Sequence, residues 1–270
     1  SLSELMITLL YSIVVNKCNY NPVIASRYYG IWYESEPKIM DSSIKNSFEI
    51  KYGLDSESNY EKILKNSETL NFDNKTGTFL IRCIPIAINF FYISNTTSFS
   101  KFIEYIKSDC KITHPNDDCV NIALMYGYAI FLALKGIDKK EIFNSLRSMN
   151  FVNDTHKKIL YDSLYSPKYD LLSKWKEFHF GCAIQSAFYY FMNDFSIENA
   201  FKEIIRLGGN TDLGCSIFGG LYGAYYGYTS LPQRWINSVI DSDDGESIYL
   251  RYENLNYLRP YKIDKYLQKF

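Results

Sequence analysis

Residues 196–228 read SIENAFKEIIRLGGNTDLGCSIFGGLYGAYYGY, and this stretch decides the fold class. Apolar positions recur at helical rather than alternating spacing on both sides of Gly208-Gly209, which predicts helices over 196–207 and 212–228. The glycine pair ends the first helix, and the polar triplet Asn210-Thr211-Asp212 opens the second. Seven of the 14 glycines fall between 208 and 227. Glycine costs about 1 kcal/mol against alanine inside a helix, so this cluster requires a reason. Gly219, Gly223 and Gly227 share one helical face, a spacing that lets another helix approach closely. Gly208 and Gly209 admit two readings. They form a left-handed C-cap followed by an Asn or Asp N-cap, or a turn whose backbone approaches a ligand while free N–H groups at the new helix start attract an anion.

Working outward, the same period continues. Leu2, Leu5, Met6, Leu9 and Ile13 predict an opening amphipathic helix, and Ser1 with Glu4 has the form of a capping box. Pro22 suits the first turn of a second helix with Val23, Ile24, Tyr28, Ile31 and Trp32 as its buried stripe. Residues 41–78 are polar and poorly periodic, punctuated by Gly53 and Gly77, and read as short helices and a long loop. Helices are expected over 78–93, 98–107, 116–134 (ended by Gly136), 138–149, 153–164 and 178–193. The expectation is an all-α globule forming a single domain over 1–270, with no repeat that would build a solenoid.

The chain has 270 residues, 47% of them apolar, with 29 Lys plus Arg against 30 Asp plus Glu. A chain of this length buries about three quarters of its unfolded surface, so a core needs no staples. A formal net charge of −1 gives no basic footprint for phosphate backbones, which argues against nucleic acid as a main partner. The apolar runs 122–134 and 217–228 fall short of the roughly 20 residues that cross a bilayer. The first residues lack an initiator methionine and a basic signal-peptide region, and the chain reads as lacking an N-terminal segment. Six dispersed cysteines without a C-x-x-C pair read as free thiols in a reducing, cytoplasmic setting.

Four stretches, in order, resemble the ADP-ribosylglycohydrolase family, which includes the dinitrogenase-reductase-activating glycohydrolases and the ADP-ribosylarginine and ADP-ribosylserine hydrolases. Gly208-Gly209-Asn210-Thr211-Asp212, followed by Ile217, Gly219, Gly223, Ala224, Gly227 and Pro232, is similar to the family's G-G-D-T-D-T-N and its glycine-rich helix. Gly77-Thr78-Phe79-Leu80-Ile81-Arg82 with Pro85 resembles its N-G-x-x-M-R-x-x-P segment, with Thr76 where asparagine is usual. Thr113-His114-Pro115, with Cys119, Tyr126, Ala129 and Ile130 beyond, resembles its T-H-P segment. Ser3-Glu4-Leu5 looks like the end of its early S-D-D-S-E-L segment.

The resemblance implies an all-α fold that holds two magnesium ions and hydrolyses the glycosidic bond at the anomeric carbon of an ADP-ribosyl group, its partner being an ADP-ribosylated protein or ADP-ribose. It implies Asp212 as the catalytic carboxylate, Asp212, Asn210 and Ser3 at the metal positions, and Gly77, Thr78, Arg82, His114, Gly208, Gly209 and Gly214 around the substrate. Arg82 is open to a structural or a phosphate-facing role, and His114 to a capping or a ligand-facing one. The chain departs from the family at the chemistry. The early aspartate pair aligns with Ser1 and Leu2, or with Leu2 and Ser3; Asn210 replaces the first late aspartate, Leu213 the ligand threonine and Gly214 the following asparagine. Only Asp212 keeps a carboxylate, so weak or absent magnesium binding and an impaired hydrolase are expected. The alternative is a non-catalytic relative that binds ADP-ribose or a protein partner.

Overall fold

Short polar side chains set where this chain turns, because each new helix needs an acceptor for its first free N–H groups. The computed structural model describes residues 2–37, 39–49, 57–150, 153–168, 179–240, 257–259 and 262–270. Asn21 accepts from the N–H groups of Val23 and Ile24 at 2.9 and 3.1 Å, and Pro22 occupies the first turn. Asn116 caps through Asp118 N (2.9 Å), Asn153 through His156 N (3.0 Å) and Asn210 through Leu213 N (3.1 Å).

The resulting order is α1 (Leu2–Val15), α2 (Pro22–Glu34), α3 (Ser42–Phe48), α4 (Glu57–Leu70), a 3-10 helix (Gly77–Arg82), α5 (Cys83–Ile93), α6 (Phe99–Lys111), α7 (Asp117–Leu134), α8 (Lys139–Arg147), α9 (Asp154–Asp162), α10 (Phe180–Met192), α11 (Ile197–Leu207), α12 (Thr211–Tyr226), α13 (Gln233–Ile240) and α14 (Ile263–Leu267). A second 3-10 turn covers Tyr228–Ser230. The fold is all-α, and among the described residues the extended pairing is a single bridge between Thr76 and His179. One continuous cluster of buried apolar side chains runs from Leu5 to Tyr266. Its axis is α7, which packs on α5, α6, α8 and α12. By length and composition α7 could cross a membrane, but 67% of it is buried inside the fold, as a core helix requires.

Several expectations are corrected. Of the stripe expected on α2, Trp32 is buried while Val23, Ile24, Tyr28 and Ile31 are half-buried; Ala25 and Tyr29 complete the buried face, the Tyr29 hydroxyl donating inward to Asp109 Oδ1 at 2.8 Å. Glu4 accepts from Trp32 Nε1 at 2.8 Å; Ser1, its expected capping partner, lies outside the described residues, as does Gly53. Within 41–78, expected as short helices and a long loop, Ser42–Phe48 is a short helix and Glu57–Leu70 is a longer one of 14 residues. Of the expected glycine stripe on α12, Gly219 meets another helix, with Phe201 of α11 3.4 Å from where its Cβ would lie, but the tighter approach is elsewhere. A Cβ on Gly220 would come within 2.7 Å of the Tyr126 hydroxyl oxygen, whereas one on Gly223 would meet nothing within 4 Å, and Gly227, at φ +80°, is the residue that ends the helix.

The 3-10 helix is the hub that positions the candidate site, packing on α1, α7, α10 and α12. Phe180 N donates to Lys75 O at 2.9 Å, which ties the start of α10 to the residues just ahead of the hub.

Candidate functional site

The starts of α10 and α12 converge on a pocket of about 340 Å³, within the size range of small-molecule sites. His179, Cys182, Ala183 and Ser186 form one wall, Ile204 and Leu207 of α11 another, and Gly208, Gly209, Asn210, Leu213 and Gly214 the turn between α11 and α12. Pro167 and Lys168 complete the rim. Gly208 and Gly209 have φ of +77° and +72°, a region that a side chain enters only with strain. The pair therefore ends α11 as a left-handed turn, the first of its two readings, and its backbone lines the pocket.

His179 belongs to none of the four motifs. It is the N-cap of α10, its Nδ1 accepting from Gly181 N at 3.0 Å, and it faces the pocket. Burial and nearby Lys75 push its pKa down to about 4, so the ring is neutral at pH 7. The available signal was its place one residue ahead of an apolar helical run. Cys182, Ser186 and Lys168 carried no motif and could not have been found that way.

Behind the pocket lies a buried polar chain. Arg82, 1% exposed, donates from Nε to Asp109 Oδ2 at 2.8 Å and from Nη2 to Thr113 Oγ1 at 2.8 Å. Thr113 Oγ1 is 2.9 Å from His114 Nδ1, and His114 Nε2 is 3.0 Å from Thr76 Oγ1. With His114 neutral and its proton on Nε2, every contact has one donor and one acceptor. Burial and the Arg82 charge hold its pKa well below the ordinary histidine value. Arg82 thus takes the structural role of the two open to it. His114, 0% exposed, neither caps α7, which Asn116 does, nor reaches the pocket; its geometry instead holds Thr76 beside the bridge to His179.

Of the residues expected at the site, Gly208, Gly209, Asn210 and Gly214 come together in the pocket. Gly77 and Thr78 are buried in the hub, and a Cβ on Gly77 would lie 2.8 Å from Leu213 Cδ2. Gly77 therefore backs the pocket wall without lining the pocket. Thr78 Oγ1 is buried without a hydrogen-bond partner among the described residues. Asp212 and Ser3 are solvent-exposed, and neither is among the residues lining the pocket.

The implied magnesium pair can be tested against this donor set. Two hard dications want several anionic oxygens in near-octahedral geometry. Among the described residues, no group of three or more His, Cys, Asp or Glu side chains converges, and no carboxylate lines the pocket. The Asn210 side-chain oxygen is engaged in capping, and Leu213, where the ligand hydroxyl would stand, is 1% exposed against Gly77. These residues do not fit a magnesium pair.

Comparison with known proteins agrees with this architecture. The ADP-ribosylglycohydrolase family model matches residues 2–259. A protein of Acanthamoeba polyphaga mimivirus named as an ADP-ribosyl glycohydrolase is 27% identical over 256 residues, covering 88% of this chain and 72% of that protein. A solved structure described as an ADP-ribosylglycohydrolase-related protein complex superposes with a TM-score of 0.67 at 15% identity, covering 95% of this chain and 79% of its own.

Proposed function

The chain belongs to the ADP-ribosylglycohydrolase family, and from that premise we propose that its pocket receives an ADP-ribosyl group, free or attached to a protein, with hydrolysis of the glycosidic bond impaired. The observation that carries this reading is the composition of the pocket. The segment that resembles the family's late glycine-rich motif, here Gly208–Asn210 with Leu213 and Gly214, forms its turn, which supports a ligand site at this position. The groups that would drive the chemistry are replaced.

Cleavage at the anomeric carbon passes through an oxocarbenium-like state and needs a positioned water and a base for it. Asp212 is the carboxylate nearest in sequence to the pocket turn, and it faces solvent. Asn210 cannot accept a proton as a carboxylate does, and Leu213 offers no oxygen. What these residues can do is bind. The turn presents backbone polar groups, and α10 and α11 supply apolar walls.

The proposal extends to a single domain over 1–270, supported by the continuous apolar cluster, and to a cytoplasmic setting, supported by six free cysteines. Calorimetric titration with ADP-ribose, paired with release assays on ADP-ribosylated arginine and serine peptides, tests the core of it. Saturable binding with release near background is expected. Absence of binding rejects the ligand, and fast release rejects the impairment.

A further inference from the structure

We propose that Lys168, set on the pocket rim by a clamp from Gln185, is the cation that takes the ligand's diphosphate. The inference rests on the ADP-ribosyl reading above. Among the described residues lining the pocket, Lys168 carries the one fixed charge, and there is no carboxylate to oppose it. A metal site shows the reverse pattern, anionic oxygens awaiting a dication. The rim of this pocket carries a lysine instead, and a charged donor to a phosphate oxygen is among the stronger hydrogen bonds available.

Gln185 explains how the backbone that carries this lysine is held at the rim. It lies on α10, 2% exposed, and its Nε2 donates twice, to Ser166 O at 3.0 Å and to Lys168 O at 2.7 Å. Those carbonyls flank Pro167, so both amide hydrogens close on the segment that forms the rim. The far side is pinned as well, since Ser166 N donates to Asp162 O at 2.9 Å and Lys168 N to Ser166 Oγ at 3.2 Å. Gln185 Oε1 is buried without a hydrogen-bond partner among the described residues. A side chain used for core filling alone would be better apolar, because the orphaned oxygen is unfavourable. The amide is explained by its two donors, which makes Gln185 a positioning residue and Lys168 the binding one.

The test is a double-mutant cycle on the full chain in EDTA, with ADP-ribose and inorganic pyrophosphate as calorimetric probes. Lys168→Gln should weaken both probes about tenfold, as expected for a lost charged hydrogen bond, and Lys168→Arg should retain most of the affinity. Gln185→Met preserves volume and removes the donors; it should cause the same loss, and the double variant should lose no more than either single one. Unchanged affinity in Lys168→Gln overturns the cation assignment. A lower melting temperature with unchanged affinity in Gln185→Met, or losses that add in the double variant, overturns the positioning role. Pyrophosphate binding with this mutational pattern but no ADP-ribose binding would sink the ADP-ribosyl reading and leave the anion site standing. Failure of both probes to bind would overturn both.

Discussion

Replacing Asp109 by alanine should be among the most damaging single changes in this protein. Its carboxylate accepts from Arg82 Nε at 2.8 Å and from the Tyr29 hydroxyl at 2.8 Å, and the two charged side chains are only 1% and 4% exposed. Removing it leaves a guanidinium in the core without a counter-charge, a loss of about 3–5 kcal/mol. For a chain of this size that corresponds to a melting point lower by very roughly 6–10 °C, at about 2 °C per kcal/mol. Arg82→Met removes the other partner and should cost a similar amount. In the double variant no buried charge is left unpaired, so the double should be less damaging than the sum of the singles by about 2–3 kcal/mol. Urea unfolding of the four proteins measures all three quantities. A cost below about 1 kcal/mol for Asp109→Ala, or strict additivity, would show that the pair is neither buried nor coupled as described.

Four further outcomes follow from the same geometry. Millimolar magnesium should leave the melting temperature nearly unchanged in differential scanning fluorimetry, because a ligand whose Kd is itself millimolar stabilises little. Asn210→Asp with Leu213→Thr should raise magnesium affinity by calorimetry without restoring ADP-ribose release. Asp still caps α12, so the stability loss, about 2–4 kcal/mol in urea unfolding, should come from removing buried Leu213. Gly77→Ala should cost about 1–3 kcal/mol in the same assay, since its Cβ would press on Leu213 Cδ2 and on the Phe180 backbone. Burial lowers the pKa of His179 to about 4, so the unfolded chain binds more protons below its ordinary value of about 6.5. Its contribution is present above that pH and is lost as pH falls toward 4; a series of unfolding curves should show a shallower decline in His179→Gln.

Much of this fold is written in local pattern. The α11–α12 boundary is legible because the turn chemistry is local: two glycines that tolerate positive φ, then an asparagine whose oxygen reaches the Leu213 amide. The hub at Gly77–Arg82 is visible as a motif, but its 3-10 geometry is not, since that depends on how tightly α1, α10 and α12 press on it. On α2 the burial of Trp32 is legible, but Tyr28 and Tyr29 are equivalent in sequence; a buried acceptor 80 residues later, Asp109, decides between them. At the site the signature segment marked the pocket's turn. It could not mark Lys168 or Gln185, whose roles arise from the packing of α10 against the rim and follow no fixed spacing. Arg82 and His114 illustrate the opposite limit: their motif drew attention to them, but their hydrogen bonds run inward to Asp109, Thr113 and Thr76, and they support the site from behind.

The proposal that this fold holds an ADP-ribosyl ligand at the Gly208–Asn210 pocket without a pair of magnesium ions has a direct consequence for binding. Titrating ADP-ribose into the protein by calorimetry, once in EDTA and once in millimolar magnesium, tests it most directly. Saturable one-to-one binding with the same Kd in both buffers is expected, reflecting a pocket lined by Lys168 and neutral His179 and by no described carboxylate. Binding that appears only with magnesium, or no binding in either buffer, would contradict it.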